Sequence, residues 1–203
     1  LLREKSLYEI YKDDYMQFMI GQRIEELMEA EPEKQYPEAR SMRRHFILHI
    51  GPTNSGKTYQ ALQRLKQAYQ GIYLGPLRLL ALEVYDTMTA AGIPCNMITG
   101  EERIQTPGAF CQASTVEILN LKEIYDIAVI DEAQMINDEN RGSYWTRAIL
   151  GVRAEEIHIC ASPVAEQLLL EMITRCNDTY DIIYHERNTK LEFIPDKYDM
   201  SRH

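Results

Sequence analysis

Residues 51–58 read Gly51-Pro52-Thr53-Asn54-Ser55-Gly56-Lys57-Thr58, directly after the apolar run Phe46-Ile47-Leu48-His49-Ile50. A buried strand feeding a glycine-rich turn that ends in lysine and threonine has the parts needed to hold a nucleoside triphosphate. The glycines let the backbone bend so that consecutive N–H groups face phosphate oxygens, and the following helix adds the positive end of its dipole. In such a loop Lys57 reaches the β- and γ-phosphates and the Thr58 hydroxyl ligates Mg²⁺. All eight residues are candidates for binding ATP, and Thr58 is also a candidate metal ligand. An ordinary glycine turn between strand and helix is the bland alternative.

A second chemical cluster lies downstream. The apolar run Ile127-Ala128-Val129-Ile130 ends in Asp131-Glu132-Ala133-Gln134. A carboxylate at the tip of a central strand can hold Mg²⁺ through its water shell, so Asp131 is the second candidate metal ligand. Glu132 can orient or deprotonate a water that attacks the γ-phosphate. Two adjacent carboxylates suit hydrolysis better than nucleotide storage. Lys57, Asp131, Glu132 and Gln134 form the candidate catalytic set. Acids also follow buried strands simply because the chain has reached solvent, and the pairing with the glycine loop favours the chemical reading.

These residues need a sheet to hold them. Strands are expected over 45–50, 71–75, 94–98, 109–113, 125–130, 156–161 and 180–185. Helices are expected over 57–69, 78–91, 115–122, 142–150 and 164–175. The alternation implies βαβ units, hence an α/β fold with a largely parallel sheet covered by helices on both faces. Ligands then sit at the carboxyl ends of the strands, where the glycine loop lies. Residues 7–29 carry apolar side chains at helical spacing, with Gly21 a point at which two helices can divide. The proline-marked stretch Glu31 to Pro37 reads as a linker. The expected division is an N-terminal helical segment with linker over 1–43, a nucleotide-binding core over 44–190, and a linker or tail over 191–203.

Composition narrows the classes. The chain has 203 residues, 45% hydrophobic and 26% charged, which suits one globular core with an appendage. Cys95, Cys111, Cys160 and Cys176 stand far apart with no C-x-x-C pair, so structural zinc is not expected and a reduced intracellular setting is the default. No run approaches the apolar length of a membrane span. The net charge of −9 argues against a broad basic nucleic-acid face, though not against local backbone contacts. The opening residues do not read as a signal or transit peptide, and the start at Leu1 suggests a fragment.

Several longer segments stand in order beside these motifs: Gly75-Pro76-Leu77-Arg78-Leu79-Leu80-Ala81-Leu82-Glu83, Gly92-Ile93-Pro94-Cys95, Thr99-Gly100-Glu101-Glu102, Arg141-Gly142, Trp145-Thr146-Arg147-Ala148, Leu150-Gly151 and Ala154-Glu155-Glu156. With the glycine loop and the Asp131–Met135 run, they resemble the first RecA-like lobe of the mitochondrial degradosome RNA helicases, a branch of the DExH/D-box superfamily 2. The resemblance spans roughly residues 38–192. It implies a RecA-like P-loop core and an ATP- and Mg²⁺-dependent motor acting on nucleic acid, RNA in preference to DNA. It also implies a second RecA-like lobe elsewhere, a ribonuclease partner, no membrane, and a bacterial cytoplasm or mitochondrial matrix. By position Gly51–Thr58 match motif I, Asp131–Gln134 match motif II, and Ala161-Ser162-Pro163 take the place of motif III, where the family usually has Gly-Glu-Pro. Ala133 stands where a bulkier aliphatic residue is common. This lobe is expected to bind ATP, to hydrolyse it slowly, and not to unwind duplexes by itself. A thymidine-type nucleoside kinase, with a similar loop and an Asp-Glu-x-Gln strand end, is the alternative; it lacks a role for the 75–83 and 99–102 runs.

The resemblance suggests nucleic-acid contacts at Arg78, Thr99, Gly100 and Thr115, and a coupling role for Ser162. A cation such as Arg78 at a helix N-terminus opposes the helix dipole unless an anion is near. Thr99 with Glu102, and Ser114-Thr115-Val116-Glu117, also read as helix capping boxes. Capping and phosphate contact are compatible, because a capped N-terminus presents N–H groups. Ser162-Pro163 reads equally as a helix start. Gln134 is placed either to bridge to Ser162 or merely to leave a strand end. His45 and His49, with no carboxylate partner evident, read as packing or hydrogen-bonding residues, and Trp145 and Tyr144 as core or interface residues.

Overall fold

A computed structural model describes residues 7–29 and 31–187. The expected linker or tail at 191–203 lies outside the described residues. Eight strands form one sheet: β1 (His45–Ile50), β2 (Gly71–Gly75), β3 (Cys95–Ile98), β4 (Arg103–Ile104), β5 (Cys111–Thr115), β6 (Ile124–Ile130), β7 (Arg153–Ala161) and β8 (Thr179–Tyr184), in the order β4-β3-β5-β2-β6-β7-β1-β8. Every pairing is parallel except β3 with β4.

Strand alternation divides the core into two layers. Phe46, Leu48, Ile50, Ile72, Leu74, Ala128, Ile130, Ile157 and Ile159 point to one face. Helices α5 (Gly142–Gly151) and α6 (Glu166–Arg175) cover it through Trp145, Ile149, Leu168 and Leu169. Tyr73, Ile127, Val129 and Cys160 point to the other face, under Ala61 and Leu65 of α3 (Lys57–Leu65) and Val84 and Met88 of α4 (Arg78–Ala90). A strand covered on both sides must be apolar throughout, and Ile127–Ile130 are all buried.

Before the sheet, α1 (Leu7–Glu29) is one continuous helix of 23 residues, so Gly21 does not divide it. The stretch expected as linker holds a 3-10 turn at Pro32–Lys34 and the short α2 (Pro37–Arg40), each with proline early in its first turn. Among the described residues no helix is long and apolar enough to cross a membrane.

Three sequence expectations fail locally. The helix after β1 stops at Leu65 rather than 69, where the Asp126 carboxylate takes the N–H groups of Tyr69 and Gln70 at 2.6 and 2.5 Å. The helix expected at 115–122 is only a 3-10 turn, Val116–Ile118. It ends because Leu119 is extended at ψ 123° and Asn120 turns its side-chain oxygen onto the Lys122 N–H. Thr99-Gly100-Glu101-Glu102 opens no helix. Thr99 Oγ1 accepts from the Glu102 N–H at 3.1 Å as a capping box would, but the Thr99 N–H donates to the Glu102 carbonyl and the chain returns as β4, pairing Ile98 with Arg103.

Candidate nucleotide and nucleic-acid site

Strands β6, β7 and β1 lie side by side, so their carboxyl ends bring the three motifs together. The glycine loop leaves β1, Asp131 leaves β6, and Ser162 leaves β7 between them. The loop bends through left-handed backbone at Asn54 and Gly56, with φ of 59° and 83°. Glycine adopts that conformation without steric cost, and asparagine tolerates it. Ser55 Oγ closes the turn by donating to the Pro52 carbonyl at 2.8 Å. The Lys57 ammonium points back across the loop to the carbonyls of Gly51 and Pro52, at 2.7 and 2.5 Å. Lys57 is itself buried, with 8% exposure.

The two expected metal ligands meet. Thr58 Oγ1 donates to Asp131 Oδ1 at 3.0 Å across 73 residues of sequence. Tyr73 donates its phenol to Asp131 Oδ2 at 2.9 Å, and the Glu132 N–H donates to Oδ1. Asp131 is 3% exposed, and burial raises its pKa against the lowering pull of the Tyr73 and Thr58 hydroxyls. Its bonded partners are neutral donors, and such a buried carboxylate gains most from a cation. A hydroxyl and an acid of this kind fit Mg²⁺, whose ligands are hard oxygens.

Glu132 has left-handed backbone, φ 49°, unusual for a residue with a long side chain. Its carboxylate accepts from Gln134 Nε2, while Gln134 Oε1 accepts from the Ser162 N–H at 3.1 Å. Gln134 therefore bridges motif II to motif III. The bridge uses the backbone of residue 162, so it does not need the glutamate that the family usually has there. Ser162 does occupy the N-cap position of the 3-10 turn Pro163–Ala165, but its hydroxyl makes no capping hydrogen bond.

The predicted nucleic-acid residues line loops at the same ends of β2, β3 and β5. Arg78 opens α4 and pairs with Glu102, its Nε 3.2 Å from Oε2, so the anion that relieves the helix dipole is already a carboxylate of this chain. Thr99 is buried in the β3–β4 turn, and Gly100 beside it is exposed. Thr115 ends β5 in register with Gly75, but its hydroxyl caps nothing. The capping-box route to phosphate binding loses its helix at Thr99 and keeps only a three-residue turn at Thr115.

Some participants escaped sequence reasoning. Tyr73, His158, His185 and Arg187 all touch the motifs or their supports, and Trp145, expected as a core or interface residue, touches them from the core. Trp145, fully buried, donates Nε1–H to the Asp131 carbonyl at 3.0 Å. Arg187 donates to the Thr53 carbonyl and to Thr53 Oγ1, at 3.2 and 3.1 Å. His185 Nε2 meets His49 Nδ1 at 3.0 Å, His49 Nε2 meets His158 Nδ1 at 2.8 Å, and His158 Nε2 meets Glu156 at 2.8 Å. The position of His45 and His49 on the strand before the loop gave no sign of this row, because its other histidines stand 109 and 136 residues from His49. Burial, with His158 and His185 beside it, pulls His49 down to about 4. His45 has a carboxylate partner after all, with Asp181 at 3.1 Å and the Thr179 hydroxyl at 2.8 Å.

A parallel sheet with a phosphate loop after β1, an acid pair after β6 and a glutamine link to β7 defines a RecA-like P-loop nucleotide-binding lobe. The family model for the DEXQ-box helicase domain of Suv3 matches residues 32–185, and this chain belongs to that family. Its own spelling, Asp131-Glu132-Ala133-Gln134, fits the DEXQ pattern. The human protein named ATP-dependent RNA helicase SUPV3L1, mitochondrial, is 45% identical over 167 residues, 80% of this chain and 21% of that protein. The Arabidopsis thaliana DExH-box ATP-dependent RNA helicase DExH16, mitochondrial, is 44% identical over 170 residues, 84% of this chain and 29% of that one. The chain thus spans less than a third of these relatives. Among solved structures, a DEAD box protein from Methanococcus jannaschii superposes with a TM-score of 0.54 at 17% identity, covering 76% of this chain and 49% of that one. That likeness shows the RecA-like fold alone. Membership of the Suv3 family removes the nucleoside-kinase alternative.

Proposed function

We propose that this chain is the nucleotide-binding lobe of an ATP-dependent RNA helicase, with Lys57, Thr58, Asp131 and Glu132 as its working residues. The observation that carries the reading is the 3.0 Å contact of Thr58 with Asp131, which joins the two sequence motifs in one site. Lys57 exchanges its bonds to the Gly51 and Pro52 carbonyls for phosphate oxygens. The loop N–H groups from Thr53 to Thr58 cradle the remaining oxygens. Thr58 and Asp131 would hold Mg²⁺, which supplies charge neutralisation on the triphosphate. Glu132, released from Gln134, orients the attacking water and takes its proton. Ser162 and Gln134 transmit that change to the end of β7.

RNA is the substrate that fits the relatives' names, and Arg78, Gly100 and Thr115 supply the strand-facing loops. A second RecA-like lobe closes over the nucleotide, and the mitochondrial matrix is the compartment that agrees with those names. Calorimetric titration with Mg²⁺ and a non-hydrolysable ATP analogue tests the nucleotide site. Wild type is expected to bind, Lys57→Ala to lose at least about tenfold in affinity, and Glu132→Gln to bind normally while losing turnover. Equal steady-state turnover in wild type and Glu132→Gln would overturn the hydrolytic assignment.

A further inference from the structure

Arg141 stands at the start of α5 and reaches toward the segments after β2 and β5. Its terminal nitrogen donates to the Pro76 carbonyl at 2.6 Å and to Glu117 Oε1 at 2.5 Å, and its Nε lies 3.2 Å from the same carboxylate oxygen. Pro76 is two residues before Arg78, and Glu117 is two residues after Thr115. One guanidinium thus ties together both segments assigned above to the nucleic-acid face. The same group lies over the indole of Trp145, 5.5 Å from the ring centre. The Nε1–H of that buried ring bonds the Asp131 carbonyl.

The base of this bridge is rigid. The Arg141 N–H donates to Asp138 Oδ1 at 2.8 Å and the Gly142 N–H to the Asp138 carbonyl at 2.9 Å. A Cβ on Gly142 would collide with the Ile136 carbonyl oxygen, so α5 begins in backbone contact with the turn that follows Glu132. A packed arginine–indole pair on so fixed a base moves as a unit. Glu132, next to the bonded carbonyl, holds a strained left-handed backbone that only its surroundings keep in place, so a shift of those surroundings acts on it first.

We propose that Arg141 and Trp145 are positioning residues that relay strand binding at the 76–78 and 115–117 loops to the Asp131–Glu132 pair. The relay rests on the reading of those loops as a nucleic-acid face. A strand that pulls on Pro76 or competes for the neighbourhood of Glu117 shifts the guanidinium, the stacked indole follows, and the Asp131 carbonyl moves with it. Neither residue touches nucleotide or water in this scheme.

Trp145 is the sole tryptophan of the chain, so its emission reads the relay directly. A fluorescein-labelled uridine oligoribonucleotide reports binding by anisotropy, and an unlabelled one is titrated while indole emission is followed. Mg²⁺ with a non-hydrolysable ATP analogue is added in a parallel titration. In wild type both ligands are expected to shift the emission. Arg141→Ala should lose the RNA-induced shift, keep the nucleotide-induced one, and bind RNA within about threefold of wild type. Glu117→Gln, which keeps an acceptor for Arg141, should retain a reduced shift and guards against a folding defect in the first variant. RNA binding with no change in wild-type emission, or an undiminished shift in Arg141→Ala, would overturn the relay. No anisotropy change in wild type would instead overturn the nucleic-acid reading and the relay together.

Discussion

Two buried carboxylates, one at each end of the same sheet, are treated in opposite ways. Asp178, before β8 at the amino end, is 6% exposed on its side chain and paired with Arg40 and Arg44. Arg44, 1% exposed there, also donates to the carbonyls of Ile149, Leu150 and Val152, at the C-terminal end of α5. Burial pulls the Arg44 pKa down while Asp178 holds it up. Asp178 is answered there by two guanidinium groups, and Arg44 by Asp178 and the helix dipole. Asp131, at the carboxyl end, is equally hidden but has only hydroxyls and an N–H bonded to it. A closed ionic network holds the start of β8 to the end of α5; an unanswered carboxylate suits the role proposed for Asp131, that of meeting a cation that arrives with the nucleotide.

The comparison breaks most sharply if the closed end is opened. Asp178→Ala strands two guanidinium groups, one of them fully buried, and should cost about 3–5 kcal/mol of stability in urea denaturation. A loss below about 1 kcal/mol would mean that the network does not hold the fold. At the other end, Asp131→Asn should leave stability unchanged or slightly raised, because a buried charge is removed. Its Mg²⁺-dependent ATP turnover should fall at least about a hundredfold. A large loss of stability in this variant would place Asp131 among the structural charges.

The smaller effect is acid lability. The folded-state pKa of His49 lies near 4, below the ordinary 6.5, so between these values the unfolded chain binds a proton that the folded chain refuses. His158 and His185 are displaced in the same direction. Stability from this row is complete above pH 6.5 and is lost as pH falls toward 4, by about 1–2 kcal/mol after allowance for screening. Asp131 opposes the trend, since its raised pKa favours proton uptake by the folded state. Melting curves from pH 7 to 4.5 should therefore fall more steeply for Asp131→Asn than for wild type, and less steeply for His49→Gln.

Much of the site was legible from local spelling. The bend at Gly56, the lysine and threonine after it, and the acid pair at the end of an apolar strand are properties of a few adjacent residues. Buried strands announce themselves in the same way, and the main strands stand within three residues of their expected bounds. Local spelling also misled. Thr99 and Glu102 make the hydrogen bond of a capping box in a hairpin turn, because that bond is common to both. Only the pairing of Arg103 and Ile104 with Ile98 and Met97 selects the strand. The Ser114–Glu117 run failed similarly, with Asn120 cutting the helix short.

Which donors, acceptors and backbone bends this protein has could be read from the chain of residues, since those depend on residue type and immediate neighbours. The alternation of apolar strands with helices likewise called for a largely parallel sheet to carry them. What each charge meets followed only from the folded chain. Asp131 and Asp178 are the same residue type, and both end up buried; one meets arginines 134 and 138 positions away, the other a threonine hydroxyl 73 positions away. The energy of a buried charge depends on its desolvation and its partners, and both are set by which distant segments the fold brings against it.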